Sequence, residues 1–110
     1  MNLESGKQGE TVVLQVTGRL DTLTAPNFEQ ECAKWLQDGE KSFLVDLEKL
    51  EYISSAGLRS FLTIAKKLKA VQGQISFCNL AGMVQEVFTI AGFDTMFTVY
   101  SSVDAALNNS

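Results

Sequence analysis

Histidine is missing from this 110-residue sequence. That absence removes Ser-His-Asp and Cys-His catalysis together with the commonest metal ligand. Cysteine is nearly as scarce. Cys32 and Cys78 stand far apart, each among apolar residues, and are expected to be free, buried thiols rather than a zinc-type pair or a disulfide. Long apolar runs are lacking too: none approaches the roughly 18 residues of a membrane span, and MNLESGKQGE has no signal-peptide core. The expectation is a cytoplasmic protein without membrane insertion. Positive charge is in short supply, with nine Lys and Arg against thirteen Asp and Glu for a net charge of −4. No nucleic-acid partner is expected of that balance. GKQG and GMVQEV lack the spacing of a phosphate-binding loop, so no cofactor or metal is expected of the chain itself.

What is present describes a folded domain. Hydrophobic residues make up 45% and charged residues 20%, and there is no low-complexity tract, linker or internal repeat. Residues 1–110 are read as one domain with one two-layer core. ETVVLQVTGRL alternates as a strand closed by Gly18, with a short strand near Leu3 joined to it through a turn at residues 6–9. Phe28, Cys32, Trp35 and Leu36 form the apolar stripe of a helix that Thr24 caps, Pro26 begins and Gly39 ends. SFLVDL suits a strand buried on both faces, and QISFCNL and MFTVY read as further strands. A second helix carries Leu58, Phe61, Leu62, Ala65 and Leu68 inward, with Arg59, Ser60, Thr63, Lys66 and Lys67 opposite. A third spans MVQEVFTIAG, and a closing helix over SSVDAAL is capped by Ser101 or Ser102. The expected core includes Phe28, Leu44, Val45, Leu58, Phe61, Leu62, Phe77, Val87 and Phe88, and Phe93, Met96 and Phe97 are read as core as well. This alternation predicts an α/β fold with helices packed on a sheet.

Ser54 and Ser55, in EYISSAGLRSFL, sit where strand-like sequence becomes a helix. Three roles are open to them. A serine just before a helix caps it, worth about 1 kcal/mol. A nucleophile would need a base, and neither histidine nor the first glycine of G-x-S-x-G is present. A phosphate acceptor needs an exposed hydroxyl where new negative charge is tolerated, which the positive end of a helix dipole provides.

GRLDTLTAPNF, FLVDLEKLEYISSAGLRSFL and NLAGMVQEVFTIAGFDTMFTVYSSVDAAL, taken together and in this order, resemble the STAS domain of bacterial anti-sigma factor antagonists. The resemblance implies a single STAS-like α/β domain, a small mixed β-sheet of four to five strands flanked by about four helices. It implies a non-enzymatic, partner-switching regulator. The unphosphorylated form binds an anti-sigma factor that is also a serine kinase, ATP and Mg²⁺ belong to that kinase, and a PP2C-type phosphatase reverses the modification. The family's acceptor position falls on Ser55, with Ser54 as second candidate. The partner-binding surface implied comprises Asp21, Thr22, Ser54, Ala56, Gly57, Leu58 and Arg59. Ser54 stands where many members carry Asp, and Ala56 where many carry Ser or Thr. The alternative is a STAS interaction module of another signalling or transport assembly, or one that holds a nucleotide or lipid.

Overall fold

Strands β1 (Asn2–Gln8) and β2 (Thr11–Leu20) form an antiparallel hairpin in the computed structural model, which describes residues 1–108. The domain limit expected at residue 110 lies outside the described residues. The connection is tighter than the turn read at 6–9. Gly6 and Lys7 pair with Val13 and Val12, so only Gly9 and Glu10 remain outside the ladder. Val12, Leu14 and Val16 of β2 are fully buried while Val13, Gln15 and Thr17 are half-buried, as the alternation predicts.

The first half of β2 pairs in parallel with β3 (Ser42–Asp46), from Val12↔Phe43 to Gln15↔Asp46. Gly18 does not close the strand. At φ +92° it forms a register shift, after which Arg19 and Leu20 pair in parallel with β4 (Leu50–Ile53). Beyond β3 lie β5 (Gln74–Cys78) and β6 (Val99–Tyr100), both parallel to their neighbours. The helices are α1 (Ala25–Gln37), α2 (Ser55–Ala70), α3 (Gly82–Ala91), the single turn α4 (Phe93–Met96) and α5 (Val103–Asn108).

The α/β class and the mixed sheet agree with the reading of the sequence. The described residues hold six strands and five helices, more than the four to five strands and about four helices expected. The additions are β4 and α4. Each has only four residues, too few to display a period.

The main core lies between the sheet and α1–α4. Phe28 of α1 meets Phe61 of α2 edge-on at 5.2 Å, Phe61 meets Phe77 of β5 at 4.9 Å, and Phe77 meets Phe88 of α3 at 5.1 Å. Phe93 and Phe97 extend the chain of rings. A smaller core on the opposite face joins Leu44 and Cys78 to Ala106 of α5.

Several assignments shift. The buried stripe of α2 runs through Gly57, Ser60, Phe61, Ile64 and Leu68, whereas Leu58, Leu62 and Ala65 are half-buried at its flank. Ser60 lies inside, against the expectation of a wet position, because its hydroxyl donates to the Gly57 carbonyl (2.6 Å) and meets its own polar requirement. Val87 is half-buried, and Met96 is exposed on the outer side of α4. Both cysteines are free and buried, as expected.

Candidate functional site

The ends of β2 and β4 and the start of α2 meet at one rim of the sheet. Leu20 pairs with Ile53, and the Ser54 N–H donates to the Leu20 carbonyl at 3.0 Å. The residues that follow each strand, Asp21 and Ser54, are thereby brought side by side. Gly57 makes the junction possible. A Cβ there would stand 2.7 Å from Ile53 Cγ1 and 2.8 Å from the Leu20 carbonyl oxygen, so only glycine seats the helix start this close to both strands.

The two serines differ in their surroundings. Ser54 has extended backbone (φ −99°, ψ 176°) and its Oγ accepts the Gly57 N–H at 3.4 Å, the geometry of an N-cap. Ser55 is the first residue of α2, exposed, and its hydroxyl has no hydrogen-bond partner among the described residues. No acidic residue occupies the first turn of α2, so the positive end of the helix dipole is not neutralised there. Ala56 is half-buried and Leu58 packs against the core. Arg59 is exposed and without an ion pair among the described residues.

The turn from β2 into α1 is held by its own side chains. Asp21 Oδ1 accepts the Leu23 N–H at 3.0 Å and the Thr24 N–H at 3.3 Å, while the Thr24 hydroxyl accepts the Asp21 N–H and donates to the Arg19 carbonyl, both at 2.9 Å. Thr24 therefore ties the turn rather than capping α1 with its side chain. Partial desolvation raises the Asp21 pKa. Hydrogen bonds from Leu23 and Thr24 and the charge of Arg19 outweigh that effect and hold the carboxyl below its ordinary value of 3.8. Arg19 lies 4.1 Å above the Tyr52 ring and 3.7 Å from Asp21 Oδ2, so this cation is already engaged.

Thr22 and Leu23 stand on the outside of this fixed turn, Leu23 with 86% of its surface exposed. Leu23 is the rim residue that reading the sequence missed. The available signal was an apolar residue lying between Asp21 and Thr24, off the stripe of α1.

Other chemistry has little to build on. The described residues contain no cluster of three acidic or thiol side chains fit for a metal, and none of their helices is long and apolar enough to cross a membrane. Burial pushes both thiols up, Cys78 to about 12 with the charges of Asp46 and Glu48 adding to the effect, so neither is a nucleophile. An open groove beside α5 is lined by Glu4, Lys7, Asp46 and Asp104 and by none of the rim residues. Its carboxylates do not favour an anionic nucleotide or lipid headgroup.

The STAS domain profile matches residues 2–106 of the chain. Among curated proteins, BtrV of Bordetella bronchiseptica, described as an anti-sigma factor antagonist, is 40% identical over 96% of this chain and 91% of its own length. Among solved structures, an anti-sigma factor antagonist of Thermotoga maritima superposes with a TM-score of 0.91 at 18% identity, over 97% of this chain and 92% of the other. The phosphorylated form of SpoIIAA from Bacillus superposes with a TM-score of 0.78 at 20% identity, over 98% of each chain.

Proposed function

The chain belongs to the STAS domain family of anti-sigma factor antagonists, and from that premise we propose that it is a phosphorylation-controlled antagonist with Ser55 as acceptor. As a member of that family it is a regulator and not an enzyme, and the family implies an anti-sigma factor as partner. The observation that carries the finer reading is the division between the two serines. Ser54 is committed to capping α2, whereas Ser55 offers an unbonded, exposed hydroxyl at the positive end of the same helix.

In the unmodified state the rim formed by Asp21, Thr22, Leu23, Ser54, Ser55, Ala56 and Arg59 receives the anti-sigma factor. Gly57 and the half-buried Leu58 fix the position of α2 beneath it. The partner is also the kinase. The Ser55 oxygen attacks the γ-phosphorus of ATP, a bond to the serine oxygen forms, the bond to ADP breaks, and the serine proton passes to a base of the kinase. ATP and Mg²⁺ are held by that protein. The product carries about −1.5 to −2 additional charge at the centre of the contact, which separates the complex. A PP2C-type phosphatase returns the hydroxyl. SpoIIAA, which shares the fold, has been solved in a phosphorylated form, and that lends the reading support.

Incubation with the cognate kinase and ATP, followed by phosphopeptide mapping, tests it. Phosphate is expected on Ser55 and on no other residue, and Ser55→Ala should abolish incorporation while still binding the kinase. Phosphate on Ser54 would move the site, and incorporation undiminished in Ser55→Ala would overturn the assignment.

A further inference from the structure

A phosphate at the start of α2 would meet a cation that the unmodified protein leaves unused. Arg59 is the only basic residue in the first two turns of α2, it is exposed, and its guanidinium has no carboxylate among the described residues. The bond at this residue recorded in the structure is to its backbone, where the Thr63 hydroxyl donates to the Arg59 carbonyl at 3.0 Å. Arg19, the cation on the neighbouring strand, is held between Asp21 and the Tyr52 ring.

We infer that phosphorylated Ser55 is gripped by Arg59 within the same helix, so that modification adds negative charge to the rim and withdraws its free cation together. This rests on Ser55 being the acceptor. Residues 55 and 59 are four apart on one helix, and so share a face. Helical side chains lean toward the N-terminus, so the long arm at 59 reaches back over the turn that carries 55. Acid before base at this spacing is the favourable order. A guanidinium fork also suits phosphate, since it offers two parallel N–H donors to two oxygens. No acid in the first turn of α2 competes for Arg59.

The pair makes the switch sharper than charge addition alone. A partner surface that accepts Arg59 through a carboxylate loses that contact at the moment it also faces a dianion. Both changes act in the same direction on the same helical turn.

Phosphoserine installed genetically at position 55 of the full chain gives the test, with the second phosphate ionisation followed by phosphorus NMR. Arg59 favours the dianion, so Arg59→Gln should raise the midpoint by about 0.3 pH unit or more. Lys66→Gln removes the same charge about 16 Å along the helix from position 55 and should leave the midpoint where it is. Coincident titrations of the parent and Arg59→Gln would overturn the pair, as would a rise in Lys66→Gln equal to that in Arg59→Gln. Because the phosphate is installed rather than written by a kinase, the two readings fail separately. A kinase that ignores Ser55 removes the switch but not the pair, and coincident titrations remove the pair but not the switch.

Discussion

The ring-lined core and the strand-end rim are built on opposite principles. Beneath the helices, Phe28, Phe61, Phe77 and Phe88 are fully buried and touch one another, so each supports the next. At the rim the backbone is pinned, by Asp21, Thr24, Ser54 and Gly57, while the exposed side chains of Leu23, Ser55 and Arg59 have no hydrogen-bond or ion-pair partner among the described residues. The core spends its side chains on cohesion. The rim holds its backbone still so that its side chains stay available, an arrangement that lowers the ordering cost of binding. Stability and recognition should therefore be separable by mutation.

The largest effect should come from the core. Phe61→Ala removes the ring that contacts Phe28, Phe77 and Phe88, and should cost about 3–5 kcal/mol in urea titration. Leu62→Ala, next to it but half-buried, should cost clearly less. Equal losses at the two positions would mean that α2 is rotated from the orientation described.

Gly57→Ala probes the seam between the regions. The added methyl meets a backbone oxygen that cannot step aside, so the helix start must shift, at about 1–3 kcal/mol of stability and with weaker partner binding. A neutral result in both assays would show that the helix start is not seated against Leu20.

Ser55→Asp belongs to the rim alone. Calorimetric titration with the anti-sigma factor should show at least a tenfold loss of affinity, about 1.4 kcal/mol, with the thermal midpoint almost unchanged. Wild-type affinity in the Asp variant would sink the charge-based switch, and a large drop in midpoint would blur the separation of the two regions.

The smallest effect concerns Asp21. Its folded pKa lies below 3.8, so its contribution to stability is complete above that value and is lost as the pH falls through the folded value. The stability difference between wild type and Asp21→Asn should be constant between about pH 5 and 7 and shrink in more acid solution. A difference that grows with acid would reverse the sign of the shift.

Which parts were legible in the sequence follows from the length of each signal. The ten residues of β2 and the sixteen of α2 carry enough turns or alternations to reveal their period, and the order of elements follows from them. The four-residue β4 does not, and its pairing depends on a bulge at Gly18 that reads locally as a strand end. On α2, Ser60 reads as a wet position because hydrophobicity alone cannot see that a serine hydroxyl is satisfied by its own helix, and the expected stripe left out the buried Ile64. At the rim, the capping role of Ser54 was readable from its place before the helix. That Leu23 points outward follows from the local ties of its turn, whereas the stacking of Arg19 on Tyr52 joins segments distant in sequence and has no local signal.

The sharing of β2 between two partners has a consequence in time. Residues 12–15 wait for β3 and residues 18–20 for β4, so a strand made early in synthesis stays half-satisfied until some thirty further residues have emerged. The Ser54 amide finds its acceptor on Leu20 only after that second pairing is complete. A nascent or partly unfolded chain thus displays the segment of Ser54 and Ser55, the proposed acceptor, without Asp21 beside it. An enzyme that reads the two together would act on finished molecules and pass over unfinished ones.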